Sequence, residues 1–282
     1  MLGIIGGTGL NRIEGLTNLE TRTIETPFGR PSADVIAGEL HGRRVAFLPR
    51  HGSHHQILPS EINFRANIWA LKSVGVRRVI SVSAVGSLRE EVRPGNLALP
   101  HQYLDWTKGK RDGTFFGAGL VAHVSTAHPA CPALSAQVED AARRLGYEIH
   151  GQKTYACVEG PRLGTRAESL LLRQMGCDLV GMTNVPEVFL AREAQLCYST
   201  IAVATDYDCW LDDPEMHATV DKVIDLYRGN IARVQKLLKQ VVSEPSESAA
   251  SCGCRSSLKH AVLSDETTLS PNAKALLAFL RE

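Results

Sequence analysis

Strand-like and helix-like runs alternate regularly along the sequence, and this alternation limits the possible folds more than any other pattern in the chain. Strand-like runs such as RRVISVSAVG, TYACV, DLVGM and STIAVAT are separated by helix-like runs such as PALSAQVEDAARRLG, TRAESLLLRQMG and VPEVFLAREA. Continuous apolar, β-branched runs are typical of strands buried on both faces of a sheet. This alternation predicts an α/β fold with a single three-layer domain, in which helices flank a central sheet.

Composition excludes several classes of protein. The chain has 282 residues, of which 44% are hydrophobic, enough for a sizeable core. The 31 basic and 30 acidic side chains leave a net charge of +1, which argues against a nucleic-acid-binding domain. No apolar run reaches the ~18 residues of a membrane span, and MLGIIGGTGL lacks a positively charged leader. Seven cysteines, an odd number in a long chain, indicate a reduced, cytoplasmic protein.

The C-terminal part of the sequence has a different character. A helical pattern over residues 220–242 is followed by SEPSESAASCGCRSS, a small, polar stretch that we interpret as a flexible connector. PNAKALLAFLRE then predicts an amphipathic helix that needs a partner surface. We therefore divide the chain into a main domain, residues 1–242, and a connector with a terminal helix, residues 243–282. Within the main domain, His41-Gly42 predicts a hairpin turn, and Ser60 is a candidate helix N-cap.

Two strand ends consist of small residues suited to admitting a ligand. The turn Gly6-Gly7-Thr8-Gly9 follows an apolar strand, and its backbone N–H groups and the Thr8 hydroxyl could surround an anion. It matches neither the dinucleotide-binding pattern nor a P-loop, and a plain tight turn is the competing interpretation. Ser83 and Ala84 end the run ISVSAVGS, where open α/β sheets admit ligands, although a crowded strand end fits equally well.

A cluster of basic side chains follows another strand. Arg50 offers a planar fork for phosphate oxygens, and His51 can add a second donor. A metal site at His51, His54 and His55 is the alternative, but no Asp, Glu or Cys accompanies them at a convincing ligand spacing. The sequence therefore predicts an anion-binding group here and no metal.

The most informative segment is ATDYDCW, which ends the apolar run STIAVAT. Asp206 and Asp208 lie two residues apart and would leave the sheet on one side of an extended backbone. Buried carboxylates are costly unless they are partnered, so the pair predicts either a ligand with amino groups or a shared proton at a raised pKa. A cation site or an Asp-rich turn is the alternative interpretation.

Together these pieces resemble a known family. The ordered motifs IIGGTGL, LPRHG, NIWALK, SVSAVGSLREE, EGPRLGTRAES, GMTNVPEVFLAREA and ATDYDCW resemble the methylthioadenosine phosphorylase branch of the purine nucleoside phosphorylases. The resemblance implies a mixed, partly barrel-like central sheet and assembly as a homotrimer or a dimer of trimers. It also implies reversible phosphorolysis of methylthioadenosine to adenine and 5-methylthioribose 1-phosphate, with phosphate as co-substrate and no cofactor.

The resemblance also assigns roles to individual residues. Asp206 would act as general acid toward purine N7, and Asp208 would accept from the 6-amino group, with Tyr207 between them. Met182 would pack against the ribose, and His123 would approach the 5′ end of the nucleoside from a neighbouring subunit. The phosphate site would comprise Thr8, Arg50, His51, Ser83, Ala84 and Thr183.

Departures from the family pattern bear on selectivity. The usual EGPRFS reads EGPRLG, so Leu163 replaces an aromatic that contacts the base and Gly164 replaces a serine. Val220 and Val223 are candidates for the apolar wall around the methylthio group. Because of these changes, two alternative functions remain. One is a phosphorylase that prefers methylthioinosine, inosine or guanosine, and the more remote one is a purine-binding protein without turnover.

The tail carries one further match. SCGCRSSLKHAV resembles a Cys-x-Cys segment of some prokaryotic members, in which the two cysteines can form an easily reduced disulfide. For Cys252 and Cys254 this remains one alternative, and two reduced thiols on a flexible connector are the other.

Overall fold

A nine-stranded mixed sheet organises the molecule. The structure, a computed structural model, describes residues 1–7, 10, 13–213, 215, 217–244 and 252–282. The strands are β1 (Leu2–Gly6), β2 (Thr17–Arg22), β3 (Val35–Leu40), β4 (Arg43–Pro49), β5 (Arg78–Ser87), β6 (Leu97–Trp106), β7 (Ile149–Val158), β8 (Leu179–Gly181) and β9 (Cys197–Asp206). Their order is β2-β3-β4-β1-β5-β8-β7-β6-β9, and β9 also pairs with β5. This second pairing closes β5, β8, β7, β6 and β9 into a barrel-like ring.

Helices cover both faces of the sheet. They are α1 (Phe64–Ser73), α2 (Pro132–Arg144), α3 (Arg166–Gln174), α4 (Glu187–Glu193), α5 (Val220–Ser243) and α6 (Pro271–Arg281). One apolar cluster joins α1, α4 and α6 to the sheet, and a second joins α2 and α5 to it. The predicted three-layer α/β domain with a partly barrel-like sheet is therefore confirmed. None of the helices in the described ranges is both long and apolar enough to cross a bilayer.

Parallel pairing brings the chemically informative strand ends to one edge. β1 runs parallel to β4 and β5, with Gly6 opposite Pro49, and β5 runs parallel to β9, with Ala84 opposite Val203. The residues that follow β1, β4 and β9 therefore emerge on the same side of the sheet. The predicted hairpin is confirmed as β3–β4, with His41 and Gly42 both at positive φ.

The start of α1 and the C-terminal tail were both the subject of predictions. Ser60 is not a helix N-cap, because it lies in a 3₁₀ turn. The N-cap of α1 is Asn63, three residues later, whose side chain accepts from the Ala66 N–H. In the tail, α6 buries Leu277 and Leu280 against the first core cluster. Seven residues of the connector, 245–251, lie outside the described residues, so the division at residue 242 stays a prediction.

Candidate active site

A cavity of about 610 Å³ opens at the edge where the strand ends meet. Its wall is formed by the residues after β4, β8 and β9, by the end of β5, by the segment before α3 and by the first half of α5. The cavity brings together most of the residues that the sequence singled out. These are Arg50, His51, Ser83, Ala84, Leu163, Gly164, Met182, Thr183, Asp206, Asp208 and Val223.

Arg50 is fixed by a buried ion pair with Glu187 of α4. Its Nε donates to Glu187 Oε2 at 2.8 Å, and its Nη2 donates to Oε1 at 2.9 Å. The two side chains are 2% and 0% exposed. Burial alone would lower the pKa of Arg50, but the Glu187 carboxylate overcomes this and raises it. Arg50 therefore stays charged, and its planar fork grips a protein carboxylate.

This pairing changes the expectation for Arg50. We expected the fork to face phosphate oxygens, but Nη2 also donates to Ser81 Oγ at 2.6 Å, and Nη1 donates to the Val82 carbonyl at 3.1 Å. Of the five N–H groups of a guanidinium, one on Nη1 is left without a partner among the described residues. Arg50 can thus offer phosphate one N–H and a charge largely balanced by Glu187.

A buried polar network holds the Glu187 carboxylate in place. Tyr198 donates its hydroxyl to Glu187 Oε1 at 2.8 Å. Asn184 Nδ2 donates to the Tyr198 hydroxyl at 2.8 Å and to Ser81 Oγ at 2.9 Å, which links the network back to Arg50. Asn184 Oδ1 is buried without a hydrogen-bond partner among the described residues, but the other contacts of the network hold Glu187 and so position Arg50.

His51 is held as a neutral ring. Its Nδ1 lies 2.9 Å from the Ile57 carbonyl, and since a carbonyl only accepts, Nδ1 carries the proton. Burial lowers the pKa of His51 to about 4, so near neutral pH Nε2 is an acceptor. His51 therefore differs from the expected second donor, and it suits a protonated phosphate oxygen instead.

Ser83 and Thr183 form the second part of the anion-binding group. Their hydroxyl oxygens are 2.9 Å apart and buried, so one hydroxyl donates to the other. The remaining hydroxyl hydrogen is then available to a ligand in the cavity that both residues line. Two strand ends that are distant in sequence thus supply one paired donor, and the role of this pair in binding phosphate stays a prediction.

Asp206 has the surroundings of a protonated carboxyl. Its Oδ1 accepts from the Asp208 backbone N–H at 2.7 Å, and its Oδ2 lies 2.6 Å from Thr205 Oγ1. Burial raises the pKa of Asp206. Thr205 Oγ1 also lies 3.2 Å from the Val85 carbonyl, and one hydroxyl hydrogen cannot serve both acceptors well. A proton on Asp206 resolves this, because Asp206 then donates to Thr205, which donates to Val85.

Asp208 lies beside the two residues that depart from the family pattern. Burial raises the pKa of its carboxyl, and its backbone is in the left-handed region at φ 51°. A Cβ added to Gly164 would lie 3.8 Å from Asp208 Oδ2, so a serine there could reach this carboxylate. Leu163, which is 39% exposed, leaves an aliphatic surface at the same wall.

Gly86 allows the two carboxyls to approach the sheet. A Cβ at this position would lie 3.0 Å from Asp206 Oδ1, 3.2 Å from Asp208 Cβ and 3.1 Å from Val180 Cγ1. Few real Cβ contacts are that short, so any side chain here would displace its neighbours. The glycine in SAVGS is therefore required by close packing under the acidic pair.

Three predicted residues of the described ranges are not in the cavity wall, and Thr8 lies outside those ranges. Tyr207 turns away and donates its hydroxyl to the Glu90 carbonyl at 3.1 Å, and Val220 is 62% exposed at the start of α5. His123 pairs through its backbone N–H with the Ala261 carbonyl, outside the cavity.

The sequence patterns did not single out two polar residues of the cavity wall. Tyr227 and Arg228 lie on α5 within the helical run VDKVIDLYRGN and line the cavity. A Cβ added to Gly7 would lie 3.2 Å from the Tyr227 hydroxyl, which places this hydroxyl next to Gly7. Burial raises the pKa of Tyr227. A polar pair on the apolar face of a helix could have indicated a site. However, Gly7, which the Tyr227 hydroxyl contacts, is more than 200 residues away in sequence.

Comparison with known proteins agrees with this architecture. The model of the phosphorylase superfamily matches residues 1–243. S-methyl-5'-thioadenosine phosphorylases from Geobacter sulfurreducens and Hyperthermus butylicus are 45% and 50% identical, covering 98% and 93% of this chain and 96% and 95% of theirs. The crystal structure of a methylthioadenosine phosphorylase from an antarctic soil metagenomic library is 43% identical with a TM-score of 0.91, covering 99% of this chain and 98% of its own. The Schistosoma mansoni enzyme in complex with adenine is 34% identical with a TM-score of 0.85, covering 92% and 97%. The chain therefore belongs to the phosphorylase superfamily, in the branch of the S-methyl-5'-thioadenosine phosphorylases.

Proposed function

We propose that this chain catalyses the reversible phosphorolysis of S-methyl-5'-thioadenosine to adenine and 5-methylthioribose 1-phosphate, in purine and methionine salvage. The observation that carries the proposal is one cavity in which a group of anion donors and a pair of buried carboxyls are both present. Such a cavity can hold a phosphate nucleophile and a purine leaving group at the same time. The names of the relatives support the same substrate.

The phosphate end prepares the nucleophile. The Ser83–Thr183 pair supplies one hydroxyl hydrogen, and Arg50 supplies one N–H and a positive charge held by Glu187. Breaking the glycosidic bond develops positive charge on the sugar, which a fixed phosphate both stabilises and attacks. Thr8 and Ala84 remain proposed members of this phosphate subsite, and His51 accepts from a protonated phosphate oxygen. Met182 packs against the ribose.

The acidic pair serves the purine. Asp206 turns its proton from Thr205 to N7 as the bond breaks, so the base leaves neutral rather than as an anion, and the Thr205 hydroxyl then donates to the Asp206 carboxylate. Asp208, ionised, accepts from the 6-amino group. A 6-oxo purine presents an acceptor at the same point and leaves that carboxylate unpaired, which costs about 1–3 kcal/mol for a buried group.

The surroundings of Asp208 also support a second candidate substrate class. Leu163 provides no aromatic face for the base, and Gly164 provides no hydroxyl to hold the Asp208 carboxylate. If Asp208 takes up a proton, its O–H can donate to a 6-oxo group. Methylthioinosine, inosine or guanosine is therefore the alternative, and purine binding without turnover is a remote one.

Assembly and location complete the proposal. We propose a homotrimer or a dimer of trimers in the cytoplasm, with His123 reaching the nucleoside of a neighbouring subunit. Val223 lines the cavity and is proposed to contact the methylthio group with Val220, while Tyr207 supports the base site from outside the cavity. Phosphate is the co-substrate, and no organic cofactor, membrane or nucleic acid is proposed as a partner.

The decisive test compares four nucleosides with and without phosphate. Methylthioadenosine, adenosine, methylthioinosine and inosine are incubated with the enzyme, and release of free base is measured. We expect phosphate-dependent release of adenine from methylthioadenosine at the highest kcat/KM. Release that is independent of phosphate would refute phosphorolysis, and a preference for inosine would refute the role of Asp208.

A further inference from the structure

Four cysteines from distant parts of the sequence meet in one cluster. Cys131 caps the N-terminus of α2, Cys197 is the first residue of β9, and Cys252 and Cys254 belong to the tail. Their sulfurs all lie within 4.8 Å of one another. All seven cysteines lie in the described part of the chain, and none is in a disulfide there. The sequence had suggested only a link between Cys252 and Cys254.

The spacing of the sulfurs fits a tetrahedral metal ion. Four thiolates at about 2.3 Å from zinc are about 3.8 Å from one another in a regular tetrahedron. The limit of 4.8 Å and the Cys197–Cys252 separation of 3.3 Å bracket this value. Small side-chain rotations, without backbone movement, would therefore bring all four sulfurs to equal distances from a central ion.

Positively charged side chains lie beside the cluster. Arg192 of α4 donates from Nη1 to Cys254 Sγ at 3.0 Å. Arg78 of β5 lies opposite Cys197 of β9 in the parallel pairing of the two strands. A zinc ion with four thiolates has a net charge of −2, and two arginines stand next to it.

We propose that Cys131, Cys197, Cys252 and Cys254 bind one zinc ion. Binding replaces the thiol protons with the metal and releases them to solvent, with no change of oxidation state. Four protein ligands leave no open position, which is the mark of a structural rather than a catalytic zinc site. None of the four cysteines lines the active-site cavity. The ion would tie the tail to α2 and β9.

A structural zinc ion here would explain how the tail is held. Cys254 is 2% exposed, and four residues later Leu258 is buried in the core cluster that also contains α6. Residues 245–251 are small and polar, with one Pro and no large apolar side chain to bury. A metal bond at 252–254 therefore supplies an anchor that the preceding sequence does not.

The test measures metal uptake by the full-length protein. Protein purified with reductant is stripped with a chelator, then titrated anaerobically with zinc or with Co²⁺ as a spectroscopic probe. We expect about one ion per chain and the intense thiolate-to-cobalt charge-transfer and visible bands of tetrahedral thiolate sites. We also expect the melting temperature to rise when zinc is restored. Fully reduced protein that binds no stoichiometric zinc or cobalt would overturn the proposal.

Variants locate the site and separate it from other cysteines. Cys252→Ser should weaken the cobalt charge-transfer bands and zinc affinity, whereas Cys177→Ala, which removes a buried thiol outside the cluster, should leave both unchanged. Arg192→Gln should weaken zinc binding about 10- to 100-fold, as expected for a group that hydrogen-bonds a metal ligand. Unchanged spectra and stoichiometry in Cys252→Ser, or their loss in Cys177→Ala, would contradict this assignment.

Discussion

The buried Arg50–Glu187 pair makes a sharp prediction about stability. Glu187→Gln removes the negative charge, so the Arg50 guanidinium is left buried without a counter-ion. Breaking such a pair from one side costs about 3–5 kcal/mol. The amide oxygen of Gln can still accept one hydrogen bond, but its NH₂ group would face an Arg50 N–H that now donates to Oε2 or Oε1. We therefore expect a loss of about 3 kcal/mol in the free energy of unfolding.

A matched control lies on the same helix. Glu193 is also partly buried on α4, but its carboxylate faces the Thr114 hydroxyl at 2.8 Å and the Phe115 N–H at 2.7 Å rather than a cation. Burial raises the pKa of Glu193 to about 7, so near pH 6 it is largely protonated. Glu193→Gln then mimics the native state, because the amide can donate to Thr114 and accept from Phe115. We therefore expect no loss of stability at pH 6 and a gain of about 2 kcal/mol, because the parent protein holds this proton about 1.5 pH units above the ordinary pKa of 4.5.

Denaturant unfolding at pH 6, monitored by circular dichroism, compares the two variants with the parent protein. Phosphate is omitted, so that ligand binding does not mask the loss. If Glu187→Gln unfolds within about 1 kcal/mol of the parent, the role of this pair would be refuted. Near-equal losses in both variants would show that the shared helix, rather than the ion pair, sets the effect.

Three further perturbations test the acidic residues. Asp208→Asn should shift kcat/KM from methylthioadenosine toward methylthioinosine by about 10- to 100-fold, because the amide can donate to a 6-oxo group; an unchanged ratio contradicts the assignment. Gly86→Ala should lower kcat about 100-fold, since its Cβ would displace both carboxyls, while circular dichroism stays native; a normal kcat contradicts the packing argument. The raised pKa of Glu193 means that the folded protein binds this proton more tightly than the unfolded chain does. The stability that the proton contributes is therefore complete below pH ~4.5 and is lost as pH rises through about 7. Glu193→Gln should remove that loss, up to about 3 kcal/mol at pH 8, and parallel pH–stability curves would contradict it.

Much of the site was predictable because the family chemistry is concentrated at strand ends. Small residues end β5, an Arg follows β4, and two carboxyls follow an apolar strand. In a parallel arrangement these ends meet at one edge, so residues such as Ser83 and Asp206 could be placed together from sequence alone. The partner of Arg50 could not be identified from the sequence, because nothing distinguishes Glu187 from the other polar residues of its helical run.

The α/β class, the hairpin and the strand ends that carry chemistry follow from local patterns, because periodicity and strand-end residues are properties of neighbouring positions in the chain. The tertiary structure alone decided which groups pair. It turned the fork of Arg50 toward Glu187, set the Tyr227 hydroxyl against Gly7, and brought Cys131 and Cys197 to the tail cysteines. These contacts join residues 55 to 220 positions apart, and no local pattern encodes a distance between segments that meet only when the core has packed.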